Sequence, residues 1–169
     1  SFVCMAGITR TFQIVKPFPQ LTALENVMAG RAYGRMPVKK MQQVREEARE
    51  ILDFCGIAEK QDVLAEELNL IERKRLEISR ALATKPILLL LDEVFAGLNH
   101  AEIDEALKLI EKIKGLGITL MIVEHVMKII MSLAERIMVV HHGVKIADAE
   151  PSQVVHDEAV IDAYLGEAG

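Results

Sequence analysis

One segment limits the fold more than any other. Ile87-Leu88-Leu89-Leu90-Leu91 is an unbroken run of aliphatic side chains that stops abruptly at Asp92-Glu93. A run this short is strand-sized, and continuous apolar character without alternation is expected of a parallel strand buried on both faces. It is far from the roughly 18 apolar residues a membrane-spanning helix needs, and no other stretch of the chain comes closer. Ile118 to Val123 repeats the pattern and is followed by Glu124-His125. Two such strands, each ending in polar residues and separated by helical periodicity, predict a parallel α/β sheet with a ligand at the carboxyl ends of its strands.

The helical segments surround these runs. From Lys39 to Phe54, Val44, Ala48, Ile51, Leu52 and Cys55 fall on one face, and Gly56 is a natural stop. A second helix is expected from about Glu72 to Thr84, with Ile78, Ala81 and Leu82 inward and Pro86 beyond its end. Asn99 followed by Glu102 has the spacing of a capping box, opening a helix with the stripe Ile103, Ala106, Leu107, Ile110 and Ile113. A helix through Val126, Ile129, Ile130 and Leu133 follows the second strand. Ile137 to Val140 and Val144 to Ala147 then read as strands around a tight turn at His141-His142-Gly143.

Composition removes several alternatives. A net charge of −5 argues against a nucleic-acid binder, which shows a basic face. Cys4 and Cys55 lie far apart and make no metal-ligand spacing, as expected of unpaired thiols in a reducing compartment. The eight methionines are scattered and suit core filling. The first five residues lack the basic and apolar regions of a signal peptide. The chain opens without an initiator Met and without a strand pattern, so a truncated product is expected.

Chemistry concentrates at the two strand ends. An Asp after a buried strand can hold Mg²⁺ bound to nucleotide phosphates, and the adjacent Glu can act as a general base toward water. Asp92 and Glu93 are equally compatible with a simple strand cap. His125 could orient a water or bind a terminal phosphate, although a lone His at such a position is more often structural.

The order of these residues resembles the ABC ATPases. Ile87 to Glu93 is similar to the Walker B motif of that family, and Ala96-Gly97-Leu98-Asn99 to its D-loop, which crosses a dimer interface. By this resemblance Asp92 serves Mg²⁺, Glu93 is the catalytic base, and His125 is the switch histidine. Gln13, in Thr9-Arg10-Thr11-Phe12-Gln13, is similar to the Q-loop glutamine that senses Mg²⁺ and the γ-phosphate. The Gly7 to Gln13 opening, Leu21-Thr22-Ala23-Leu24-Glu25-Asn26-Val27 and Ala163-Tyr164-Leu165-Gly166 look like the ATPases of branched-chain amino acid importers.

The resemblance implies a partial P-loop NTPase fold of the ABC ATPase type. It would have a parallel-sheet core and a helical subdomain, with the first strands and the P-loop absent. Residues 1–16 would be a residual core segment leading through the Q-loop and 17–70 the helical subdomain. Residues 71–150 would be the nucleotide-binding core and 151–169 a helical tail. ATP and Mg²⁺ are the implied cofactors. Membrane permease subunits, docked on the helical subdomain, and a second ATP-binding subunit are the implied partners. The location would be the cytoplasmic face of the cell membrane.

Two departures qualify this. No GxxxxGK[ST] occurs in the chain, so the backbone cradle for phosphates is not among these residues. Where the family has its LSGGQ signature, this chain has Leu68-Asn69-Leu70-Ile71-Glu72, which replaces both glycines and ends in an acid. Asn69 is the candidate nucleotide contact there, and Glu72 would repel phosphate unless paired. Arg73-Lys74-Arg75 reads as a solvated helix face. A non-catalytic module that does not bind ATP by itself is the alternative reading.

Overall fold

The computed structural model describes residues 2–11 and 17–166, so Gln13 lies outside the described residues. The chain divides into two compact units, Ser1–Val123 and Glu124–Gly169.

In the first unit, a short helix α1 (Phe2–Met5) leads into β1 (Ile8–Arg10), and helices α2 (Ala23–Tyr33), α3 (Met41–Phe54) and α4 (Leu70–Ala83) follow. Then come β2 (Leu88–Asp92), α5 (His100–Lys114) and β3 (Thr119–Val123). The strands form a parallel sheet in the order β1-β2-β3, with Arg10 opposite Leu90 and Asp92 opposite Val123. The 77-residue connection from β1 to β2, residues 11–87, thus contains all three helices α2 to α4.

β1 is a strand where the sequence pattern shows none. It is three residues long, so it offers no period to read, and β2 selects it across the intervening helices. The full burial expected of both core strands is not found. In β2, Leu89 and Leu91 are fully enclosed while Leu88 and Leu90 are half-buried. In β3, Met121 and Val123 are about half exposed, at 48% and 50%. Among the described residues β3 ends the three-stranded order and has a strand neighbour on one side.

Helices carry the tightest packing. Thr22 opens α2 with a capping box, its hydroxyl accepting from the Glu25 N–H and the Glu25 carboxylate accepting from the Thr22 N–H. This signal stands in the sequence although the periodicity of α2 is weak, which is why periodicity passes it over. Leu24, Val27, Ala48, Leu52, Ile57, Leu68 and Leu76 form one cluster at 0–2% exposure. Each large side chain so enclosed contributes about 1.5–3 kcal/mol. α2 and α4 approach so closely that a Cβ on Gly30 would lie 2.6 Å from the Arg80 carbonyl oxygen. Asn26, fully buried, is satisfied on all sides: its amide donates to the carbonyls of Phe18, Leu21 and Thr22, and its oxygen accepts from the Phe18 N–H. Residues 17–22 are thereby tied to α2.

α4 begins at Leu70, two residues before the expected start, because Asn69 caps it and Glu72 closes the box. The Asn99–Glu102 box opens α5 as expected.

The second unit contains α6 (Met127–Leu133), β4 (Ile137–His141), β5 (Val144–Ala149), α7 (Pro151–Val154) and α8 (Glu158–Gly166). The strand expected at Ile137 pairs antiparallel with β5 across a two-residue turn, as the sequence pattern predicts. His142 and Gly143 both have positive φ, 47° and 78°, as a two-residue hairpin turn requires. Ile137, Val154 and Val160 form the core of this unit.

Candidate functional site

Asp92 and Glu93 stand where β2 ends, and neighbouring strands hold both. The Asp92 N–H donates to the Thr11 hydroxyl at 3.2 Å, while the Thr11 N–H donates to the Leu90 carbonyl. The Arg10 guanidinium donates to the Asp92 carboxylate at 2.9 Å. Glu93 takes the left-handed conformation, φ 47°, which is uncommon for a side chain of this kind and costs on the order of 1–3 kcal/mol. Its backbone is tied on both sides. The N–H donates to the Val123 carbonyl at 3.0 Å, and the carbonyl accepts from the Lys74 ammonium at 3.3 Å.

Lys74 is 8% exposed, which overturns the expectation that Arg73-Lys74-Arg75 is a solvated face. Arg73 donates to the carbonyls of Leu68 and Glu66, and Arg75 to the carbonyl of Gly56 and the carboxylate of Glu105. Three successive cations point at different neighbours, and all three donate to backbone carbonyls near helix or strand ends.

At the signature position the segment closes on itself. The Asn69 oxygen accepts from the Glu72 N–H at 3.0 Å, and one Glu72 oxygen accepts from the Asn69 N–H at 2.9 Å. The other Glu72 oxygen meets Lys60 at 3.0 Å. Burial opposes ionisation of Glu72, but the Asn69 N–H and the Lys60 ammonium outweigh it and hold the carboxyl below its ordinary range. The acid is therefore paired. Asn99 is likewise committed to its cap, accepting from the Glu102 N–H at 3.1 Å. Gly97, two residues before it, has φ +78°.

His125 is exposed and follows β3 by two residues. It belongs to the second compact unit, whereas Asp92, Glu93, Asn69 and Asn99 belong to the first. Arg10, Thr11, Lys74 and Lys60 are partners of the site region that sequence reasoning passed over. Arg10 and Thr11 stand in the sequence as neighbours of Gln13 and Lys74 as part of a basic run, and no spacing in the chain announces their partners.

Beside this region lies a cleft of about 490 Å³ whose walls include Thr9, Phe18, Tyr33, Glu77, Arg80 and Thr84. Arg80 stacks over the Phe18 ring at 4.8 Å, and the Thr9 and Thr84 hydroxyls share a hydrogen bond of 2.7 Å. Phe18 and Tyr33 are 48% and 82% exposed.

The donor set fits a nucleotide-bound Mg²⁺ better than a metal caged by protein. Among the described residues no group of three or more His, Cys, Asp or Glu could hold an ion. Mg²⁺ uses one or two carboxylates, with phosphates and water completing its shell.

A carboxylate pair thus closes the central parallel strand of an α/β domain, with one acid held in a strained backbone. Residues 5–96 match the ABC transporter family, and residues 144–169 match the branched-chain amino acid ATP-binding cassette transporter family. The chain is 34% identical to BraF of Pseudomonas aeruginosa, a high-affinity branched-chain amino acid transport ATP-binding protein, over 98% of its own length and 70% of BraF. It is 37% identical to LptB of Haemophilus influenzae, a lipopolysaccharide export system ATP-binding protein, over 95% of its length and 66% of LptB. Its structure is similar to the ADP conformation of MJ1267, an ATP-binding cassette of an ABC transporter. The TM-score is 0.82 at 30% identity, covering 98% of this chain and 70% of that one. The chain belongs to the ABC transporter family, among its ATP-binding proteins. No helix among the described residues is long and apolar enough to cross a membrane.

Proposed function

We propose that this chain is part of the ATP-binding subunit of an ABC importer for branched-chain amino acids, and that it carries the water- and cation-directing face of the ATP site. The observation that supports this best is Glu93, held in a left-handed conformation directly after the β2 carboxylate Asp92. Strain of this kind persists where the surroundings over-determine it, and it clusters at functional sites.

In this reading Asp92, with Gln13, holds Mg²⁺, which when bound neutralises charge on the phosphates. Glu93 orients a water and accepts its proton, and His125 keeps the switch role that the family resemblance implies. Asn99 and the Ala96-Gly97-Leu98 turn before it face a second ATP-binding subunit. The Asn69 oxygen is committed to its cap, so a phosphate contact from Asn69 falls to its amide NH₂. Branched-chain amino acids as cargo are supported by the match at residues 144–169 and by BraF. LptB, a lipopolysaccharide export system component by name, is 37% identical, so identity of this order does not by itself favour one cargo.

The permease is proposed to seat on the cleft rimmed by Phe18 and Tyr33, exposed aromatic side chains of the type enriched at interface hot spots. The chain would then work at the cytoplasmic face of the membrane as part of a dimer, without nucleic acid.

ATP turnover tests this, measured after these 169 residues are joined to a glycine-rich phosphate loop. Glu93→Gln should lower turnover at least about a hundredfold while ATP still binds. Unchanged turnover would overturn the assignment. The second reading, a module that does not bind ATP by itself, is favoured by the lack of GxxxxGK[ST] in the chain. It predicts no binding of a fluorescent ATP analogue by the 169 residues. Saturable binding lost in Asp92→Asn would remove it.

A further inference from the structure

The Asp92 carboxylate already has a cationic partner. Parallel pairing sets Arg10, the last residue of β1, opposite Leu90, two residues before Asp92 on β2. From there the guanidinium reaches the Asp92 carboxylate at 2.9 Å. The backbone under both groups is fixed, since Thr11 bridges the strands through its N–H and its hydroxyl. The Arg10 side chain is 55% exposed and that of Asp92 25%. The backbone that carries the carboxylate is thus fixed by the sheet, whereas the guanidinium covering it is more than half exposed.

We propose that Arg10 is a charge surrogate for the divalent cation: it neutralises and orients Asp92 while no cation is bound, and it must leave when one arrives. The inference rests on the reading of Asp92 as the Mg²⁺ carboxylate. A guanidinium and a divalent cation cannot share one carboxylate edge without like-charge repulsion. Arg10 therefore sets how tightly this end of β2 takes a cation. A residue that merely held the fold would have the opposite signature, because its loss would loosen the carboxylate and weaken the ion.

The experiment is Mn²⁺ binding to the 169-residue chain, followed by electron paramagnetic resonance of the free ion, with melting curves as a check on folding. Arg10→Ala should bind Mn²⁺ about fivefold more tightly, as expected for removal of a partly exposed competing ion pair. Arg10→Lys keeps the charge and should stay within about twofold of the parent. Asp92→Asn in the Arg10→Ala background should abolish binding. If Arg10→Ala binds no more tightly while Asp92→Asn still abolishes binding, the surrogate role falls and the metal role of Asp92 stands. If Asp92→Asn leaves binding unchanged, both fall. Absence of saturable binding in every variant overturns the proposal.

Discussion

The helical layer and the parallel sheet of the first unit are built to different standards. In the layer of α2, α3 and α4, Leu24, Leu52, Leu68 and Leu76 are at most 2% exposed, and the buried Asn26 has every polar atom matched. In the sheet, only alternate residues of β2 are enclosed, and β3 leaves Met121 and Val123 half exposed. The carboxylates of the candidate site sit on the less enclosed element. Among the described residues the tightest enclosure is in the helical layer, and the acids of the candidate site stand at the strand end.

Substitutions can break this comparison, and the largest effect is expected in the helical layer. Leu52→Ala should cost about 3 kcal/mol in urea unfolding, through lost burial and a residual cavity. Met121→Ala should cost less than about 1 kcal/mol, because that side chain is already half in water. Equal losses would mean that β3 is covered in solution. Next comes Gly30→Ala, where the added methyl meets the Arg80 carbonyl and should cost about 2 kcal/mol by forcing α2 from α4. A neutral result would show that the two helices have room to shift.

A smaller effect of the opposite sign is expected at the site. Glu93→Gly relieves the left-handed conformation and should raise stability by about 1 kcal/mol in thermal melts, although it deletes the proposed base. Destabilisation instead would assign Glu93 a structural role.

The weakest effect is pH-dependent and sharpens the account of the helical layer. The hydrogen bond from Arg31 holds Glu47 below its ordinary value, against burial, with Gln43 and Lys85 assisting. A depressed carboxyl stabilises the fold above its unfolded pKa of about 4.3, and the contribution fades as pH falls through the lower folded value. Glu47→Gln should therefore narrow the stability difference between pH 7 and pH 3. Melting curves with an unchanged pH slope would show that the Arg31 pair carries no linkage.

Much of this was legible in the residues. The α3 face of Val44, Ala48 and Leu52 and the cap at Asn99 followed from period and spacing, because helix formation is local. So did the hairpin turn at His142-Gly143 and the strand ending at Asp92. The family resemblance came from the same strand end. The start of α4 at Asn69 and the whole of α2 were also encoded, in N-x-x-E and T-x-x-E boxes that periodicity alone passes over.

What the sequence determined by itself, then, is the secondary structure of the helices and of β2 to β5, though not of β1, and the chemical type of the acids at the end of β2. The partners were decided only by tertiary structure. Arg10 reaches Asp92 across 82 positions, Lys74 reaches the Glu93 carbonyl across 19, and Lys60 meets Glu72 from a separate turn. Local pattern reports on residues three or four apart, whereas strand pairing and helix packing choose their partners by geometry at long range. The charge on Asp92 was readable in one letter, but the cation that covers it appeared only once β1 and β2 were laid side by side.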